Sequence, residues 1–129
     1  MIAYTLRKEE RLRGKRVFSY LFDHGHTFFQ TPYKVFWLKT FDTALYPVCF
    51  AVSVPKRRFK RAVKRNLLKR RTREVFRTNK QILNAVVTDG QVHLMIIYTS
   101  GSLLTYAELE ESMKKILQRI AQDSSKFKV

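Results

Sequence analysis

Eleven Lys and Arg residues fall between Lys56 and Arg73, and no Asp or Glu occurs anywhere from Thr43 to Arg73. Their chemistry is the binding of polyanions: a guanidinium fork grips two phosphate oxygens at once, and each neutralised phosphate releases condensed counterions. The rest of the chain offers little reactive apparatus. Its ten Asp and Glu are scattered, so no carboxylate cluster suits a two-metal nuclease. His24, His26 and His93 lack the spacing of a zinc site or a proton relay, although His24 and His26 could touch phosphate. Cys49 is the single cysteine, which excludes an intrachain disulfide and a cysteine metal cluster. It lies in an apolar run, Val48 to Val52, and is expected to pack as a small core residue. No Gly-rich phosphate loop is present. The chain alone is therefore expected to carry no catalytic residue and to cleave nothing.

Helical spacing sorts the basic segment into two faces. At about 100° per residue, Asn66, Lys69, Arg70, Arg73, Arg77 and Lys80 share one side of a helix expected from Pro55 to about Leu83. Leu68, Thr72, Val75, Phe76, Ile82 and Leu83 fall on the other. A solvated helix face normally mixes signs, because i,i+4 pairs of opposite charge stabilise a helix and like charges destabilise it. Glu74 is the only acid within this helix. Phosphates of a nucleic acid would complete such a face.

Composition agrees. The 129 residues carry 26 Lys and Arg against 10 Asp and Glu, a formal charge of +16. A disordered polycation would lack large apolar residues, but this chain is 45% hydrophobic, with 10 Phe, 6 Tyr and 1 Trp. It is expected to be a folded domain whose self-repulsion a polyanionic partner relieves. No apolar stretch approaches a membrane span, and Met1 to Arg13 lacks the apolar core of a secretory signal. A cytoplasmic protein is expected.

The positioning elements follow from periodicity. Val17, Phe18, Leu21 and Phe22 have helical spacing, with Gly25 as the stop. His26 to Gln30 suits a short strand interrupted at Thr31-Pro32, Tyr33 to Thr40 a second, Val48 to Val54 a third and Val92 to Thr99 a fourth. Turns are expected at Asp42 to Pro47 and Thr88-Asp89-Gly90. Leu109, Met113, Ile116, Leu117 and Ile120 form the apolar stripe of a last helix, opened by a Thr105/Glu108 capping box. The class is α+β, one sheet packed by helices in a single domain over 1–129. A flexible basic arm is expected over 1–13 and a flexible tail over 123–129.

The stretch Val54-Pro55-Lys56-Arg57 through Ala62-Val63-Lys64-Arg65-Asn66-Leu67-Leu68-Lys69-Arg70-Arg71-Thr72-Arg73-Glu74 resembles the signature of the bacterial ribonuclease P protein component. Arg65, Asn66, Lys69, Arg70 and Arg73 match its helix pattern, while Leu67 stands where the family often has Arg. That departure is expected to remove one peripheral contact. Phe18 and Phe22 before His24-Gly25 match the family's first helix. The resemblance covers nearly the whole chain and implies an αβββαβα sandwich with a left-handed βαβ crossover. It implies an accessory subunit of an endoribonuclease whose catalyst is RNA, which removes the 5′ leader of precursor tRNA. The implied partners are the catalytic RNA and that leader, with neither membrane nor small-molecule substrate. The implied cofactor is Mg²⁺, held by the holoenzyme RNA and substrate.

Carried over by residue, the RNA-binding set is Lys56, Arg57, Arg61, Lys64, Arg65, Asn66, Lys69, Arg70 and Arg73. The leader-binding cleft is Phe18, Phe22 and Phe36, with Tyr33 a weaker member. Stacking on aromatic rings beside cations is how single-stranded RNA is held. Strand alternation puts Lys34 and Phe36 on one face and Tyr33, Val35 and Trp37 on the other; Trp37 and Phe50 are assigned to the core. The alternatives are a ribosomal or other structured-RNA-binding protein without a processing role, and a regulator of double-stranded DNA.

Overall fold

The computed structural model describes residues 10–40, 46–88 and 90–125. Its elements run α1 (Lys15–His24), β1 (His26–Gln30), β2 (Tyr33–Thr40), β3 (Val48–Ser53), α2 (Ala62–Asn79), α3 (Gln81–Asn84), β4 (Gln91–Tyr98) and α4 (Tyr106–Ser125). The strands form one sheet in the order β1-β2-β4-β3. The pairs β1–β2 and β2–β4 are antiparallel, and β3–β4 is parallel. Parallel neighbours need a long crossover, and here α2 and α3 supply it. The architecture is the expected α+β sandwich, with α3 as one added turn.

Three boundaries differ from expectation. The helix of the basic segment begins at Ala62, not Pro55, because residues 55–61 form a turn anchored by the buried Phe59. The arm expected over 1–13 is docked at its end: Glu10 and Leu12 are buried, and the Leu12 N–H donates to the Phe50 carbonyl at 2.9 Å. The tail expected from 123 is helical through Ser125. The remainder of both segments, residues 1–9 and 126–129, lies outside the described residues, as do most of the Asp42–Pro47 turn and Asp89. Gly90 of the second turn has φ 71°, the left-handed region that favours glycine.

Alternation along β2 divides the sheet into two unlike faces. Tyr33, Val35 and Trp37 are buried against α2 and α4, with Leu94 and Ile96 of β4 and Phe50 of β3 on the same side. Phe50 stacks on Phe76 of α2 with ring centres 4.1 Å apart. The α4 stripe of Leu109, Met113, Ile116, Leu117 and Ile120 is wholly buried, as its spacing requires. The capping box forms as expected: the Glu108 N–H donates to Thr105 Oγ1 and the Thr105 N–H to Glu108 Oε1, each at 3.3 Å.

The other face is covered only in part. There α1 lays Leu21 and Val17 on the sheet, joined by Leu12, Cys49 and Met95. Phe18, Phe36, Leu38, Ala51 and Ile97 pack around this cluster but stay half-exposed. Cys49 is a buried core thiol, and burial pushes its pKa up. Gly25 ends α1 for want of space rather than for a left-handed backbone. Its φ is −77°, but a Cβ there would lie 2.4 Å from the Leu21 carbonyl oxygen and 3.1 Å from that of Trp37. The helix turns into β1 at a point where only a hydrogen fits.

Candidate nucleic-acid interface

The basic surface is built from α2 and the turn before it. Phe59 plugs the turn into the core beside Tyr98, with centroids 5.9 Å apart. Arg65, half-buried, then clamps the turn from the helix: its Nη1 donates to the carbonyls of Phe59 and Lys60, both at 2.7 Å. Arg65 is thus partly structural, and its fork holds in place the exposed Lys56, Arg57, Arg58, Lys60 and Arg61. The first turn of α2 has no acidic residue and no side-chain cap at Arg61. The positive end of the helix dipole therefore adds to the side-chain charges.

Along α2 the exposed row is Lys64, Asn66, Arg70 and Arg73, with Lys69 half-buried. Leu68, Thr72, Val75 and Phe76 are buried on the opposite side. Two members of the expected basic face are spent elsewhere. Arg77 is paired with Glu74, to which its Nε donates at 3.1 Å, and this hydrogen bond holds the Glu74 carboxyl below its usual pKa. Lys80 is buried, its Nζ donating to both carboxylate oxygens of Glu10 at 2.8 and 3.1 Å. The helical wheel places Lys80 correctly, but the arm, 70 residues earlier in sequence, covers that end of the face. Leu67 is half-buried beside the exposed row.

The aromatic set forms on the half-covered face of the sheet. Phe18 and Phe22 project from one flank of α1 with ring centres 6.4 Å apart and nearly parallel. Phe22 meets Phe36 of β2 edge-on at 4.9 Å. Phe22 is 44% exposed, a value that suits a contact surface rather than core. Lys34 Nζ lies 5.2 Å from the Phe36 centroid and 5.6 Å from that of Phe29, within reach of cation–π attraction.

Tyr33 does not join them. It is fully buried on the opposite face, where its hydroxyl hydrogen-bonds Thr72 Oγ1 at 2.8 Å. Burial pushes its phenol pKa up, so it remains neutral. Strand alternation forbids neighbours Tyr33, Lys34 and Phe36 from sharing one side, which corrects the weaker cleft assignment. Trp37 and Phe50 are core, as expected.

Phe29 and Lys34 belong to the aromatic surface but were absent from the expected site. The signal was available: Phe28 and Phe29 are adjacent in a strand, so one must point outward, and Phe28 is the buried one. Register sets Phe29 directly opposite Lys34. A groove of about 260 Å³, lined by Arg11, Arg13, Phe18 and Arg73 among others, joins the aromatic set to α2. Stacking surface and cationic surface are thereby continuous.

Among the described residues, no group of three or more His, Cys, Asp or Glu could hold a metal ion. No helix there is long and apolar enough to cross a membrane.

Comparison with known proteins gives a consistent result. The family model for ribonuclease P matches residues 6–121. A curated ribonuclease P protein component from Porphyromonas gingivalis is 36% identical over 120 residues, covering 92% of this chain and 88% of its own. The solved RNase P protein of Thermotoga maritima superposes with a TM-score of 0.70 at 26% identity, over 86% of this chain and 97% of that one. The RNase P protein of Staphylococcus aureus shares the fold, with a TM-score of 0.71 at 20% identity, over 87% and 95% of the two chains.

Proposed function

The chain belongs to the ribonuclease P protein family, and from that premise we propose how its two surfaces divide the work of the holoenzyme. The family member is the accessory protein of an endoribonuclease that matures tRNA 5′ ends. In our reading the whole chain is one such domain, acting in the cytoplasm. Lys56, Arg57, Arg61, Lys64, Arg65, Asn66, Lys69, Arg70 and Arg73 bind the catalytic RNA. Phe18, Phe22 and Phe36, with Phe29 and Lys34, bind the 5′ leader of precursor tRNA.

The observation that carries this reading is the Phe18–Phe22–Phe36 array, with its 6.4 and 4.9 Å centroid spacings and a partly exposed Phe22 at its centre. A duplex cannot use such rings, because its bases are already stacked on one another. Unpaired bases can, and stacking is sequence-tolerant because every base has a π-face. The adjacent Lys34 ammonium and the Arg11, Arg13 and Arg73 groove supply the phosphate contacts.

The protein contributes by binding and positioning. Holding the leader fixes the scissile phosphodiester relative to the RNA catalyst and removes motional freedom before the reaction. No described cluster of protein ligands fits a metal ion, so in this reading Mg²⁺ is held by the catalytic RNA and substrate phosphates. Cation-rich protein beside them lowers phosphate repulsion when the two RNAs meet.

The test compares precursor with mature tRNA on the reconstituted holoenzyme. Phe22→Ala should weaken binding of leader-containing substrate by about 1–3 kcal/mol and leave mature tRNA nearly unchanged. Equal loss for both would overturn the cleft assignment. Cleavage by the protein without the RNA subunit would overturn the division of labour altogether.

A further inference from the structure

Helix α1 has a second flank, and it faces a larger cavity. Val17 and Leu21 form the keel on the sheet. Phe18 and Phe22 lie to one side of that keel. Arg16, Tyr20 and His24 follow at i, i+4 and i+8 on the other, because 3.6 residues per turn put the two stripes about 180° apart. Beyond this second flank lies a cavity of about 520 Å³ between α1, the end of β2 and β4, lined in part by Leu38, Lys39, Thr40 and His93. That volume falls within the roughly 300–1,000 Å³ of sites that hold small molecules.

Its chemistry is that of a nucleotide. Leu21 and Leu38 give an apolar floor. Tyr20 is 58% exposed, an unusual state for so large a ring, and leans on the His24 imidazole with centroids 4.4 Å apart. Tyr20 also lines the cavity. Arg16 puts a cationic group at the rim, while Lys39, paired with the buried Val92, lines the cavity from a strand position whose side chain belongs to the opposite face. On the β4 side, Gln91 spends its amide N–H on the Tyr46 carbonyl at 2.9 Å. Its Oε1 therefore accepts from His93 Nε2 at 3.0 Å, which fixes the imidazole against the cavity wall. An apolar slot with one aromatic wall and a guanidinium at its rim suits an unpaired base with its phosphate.

We propose that this cavity binds one unpaired nucleotide of the catalytic RNA, with its base on Tyr20 and its phosphate on Arg16. The leader is a poor alternative occupant. The keel is packed on the sheet, so no strand passes beneath α1, and a strand passing over it meets the exposed carboxylate of Asp23. One single strand does not occupy both flanks. This proposal rests on the reading of the chain as a partner of that RNA.

Titration of the full-length protein against the catalytic RNA alone tests it. Tyr20→Ala should weaken binding about tenfold, the size of one lost base stack, while Tyr20→Phe should bind within about twofold of the parent. Equal affinity for Tyr20→Ala and the parent overturns the proposal. A photo-crosslinking amino acid at position 20 of the holoenzyme should label a nucleotide of the catalytic RNA; labelling only the leader, or no RNA, overturns it as well. Failure of the parent protein itself to bind the catalytic RNA is a different result, one that removes the functional reading beneath. Circular dichroism melts that match the parent exclude unfolding as the cause.

Discussion

The two faces of the sheet are made from the same kinds of residue and serve different ends. On one, Trp37, Tyr33 and Phe50 are buried to within a few per cent and locked under α2 and α4, with Phe76 of α2 stacked on Phe50. On the other, Phe18, Phe22, Phe29 and Phe36 stand partly in water around a helix too short to cover the strands. Aromatic composition does not distinguish them; coverage does. A ten-residue helix is about 15 Å long, which leaves a margin of sheet on both its flanks. The covered face holds the protein together, and the half-covered face is free to bind.

Substitutions should separate the faces in order of size. Trp37→Ala should cost about 3–5 kcal/mol of stability, the usual price of emptying a large core aromatic site, read from chemical denaturation. Phe22→Ala should cost under about 1 kcal/mol in the same assay, while losing about 1–3 kcal/mol of leader affinity. If both variants lose stability alike, the contrast between the faces fails. On the basic surface, Arg70→Ala should reduce the salt dependence of RNA binding by about one phosphate contact, with the melting curve unchanged. An unaltered salt slope would remove Arg70 from the interface.

The smallest effect concerns Glu74. Its carboxyl is held below the usual value by the Arg77 hydrogen bond, so its contribution to stability is present above the ordinary Glu pKa and lost as pH falls through the lowered one. The pair is a partly exposed surface one, and its contribution should be under about 1 kcal/mol. Comparing Glu74→Gln with the parent at pH 7 and pH 3 checks this: the difference should shrink in acid. A difference that persists at pH 3 would point to packing rather than charge.

Most of the fold could be read from the sequence because each element has its own clear period. The β2 alternation of Tyr33 to Thr40, the α4 stripe from Leu109 to Ile120 and the Thr105/Glu108 capping box are local patterns, and local patterns survive folding. What escaped depended on residues far apart in sequence. Lys80 lies on the basic face by helical arithmetic, and only the docking of Glu10 from 70 positions away buries it. Arg65 reads as one phosphate ligand among many, whereas its carbonyl clamp on the preceding turn depends on that turn being folded. Tyr33 was different: its own alternation with Phe36 already excluded it from the cleft. The signature of α2 points to a basic surface, but not to which of its cations the protein uses for itself.

The Glu10–Lys80 pair has a consequence for how the complex responds to salt. Both side chains are about 95% shielded from solvent, and mobile ions screen such a contact far less than exposed phosphate contacts. If α2 binds RNA as proposed, rising ionic strength should strip that RNA while the arm stays latched across the end of the helix. The latch also joins positions 10 and 80, closing a long loop much as a crosslink does. Released protein would therefore keep Arg11 and Arg13 beside Arg73, with the cationic groove already assembled for the next RNA.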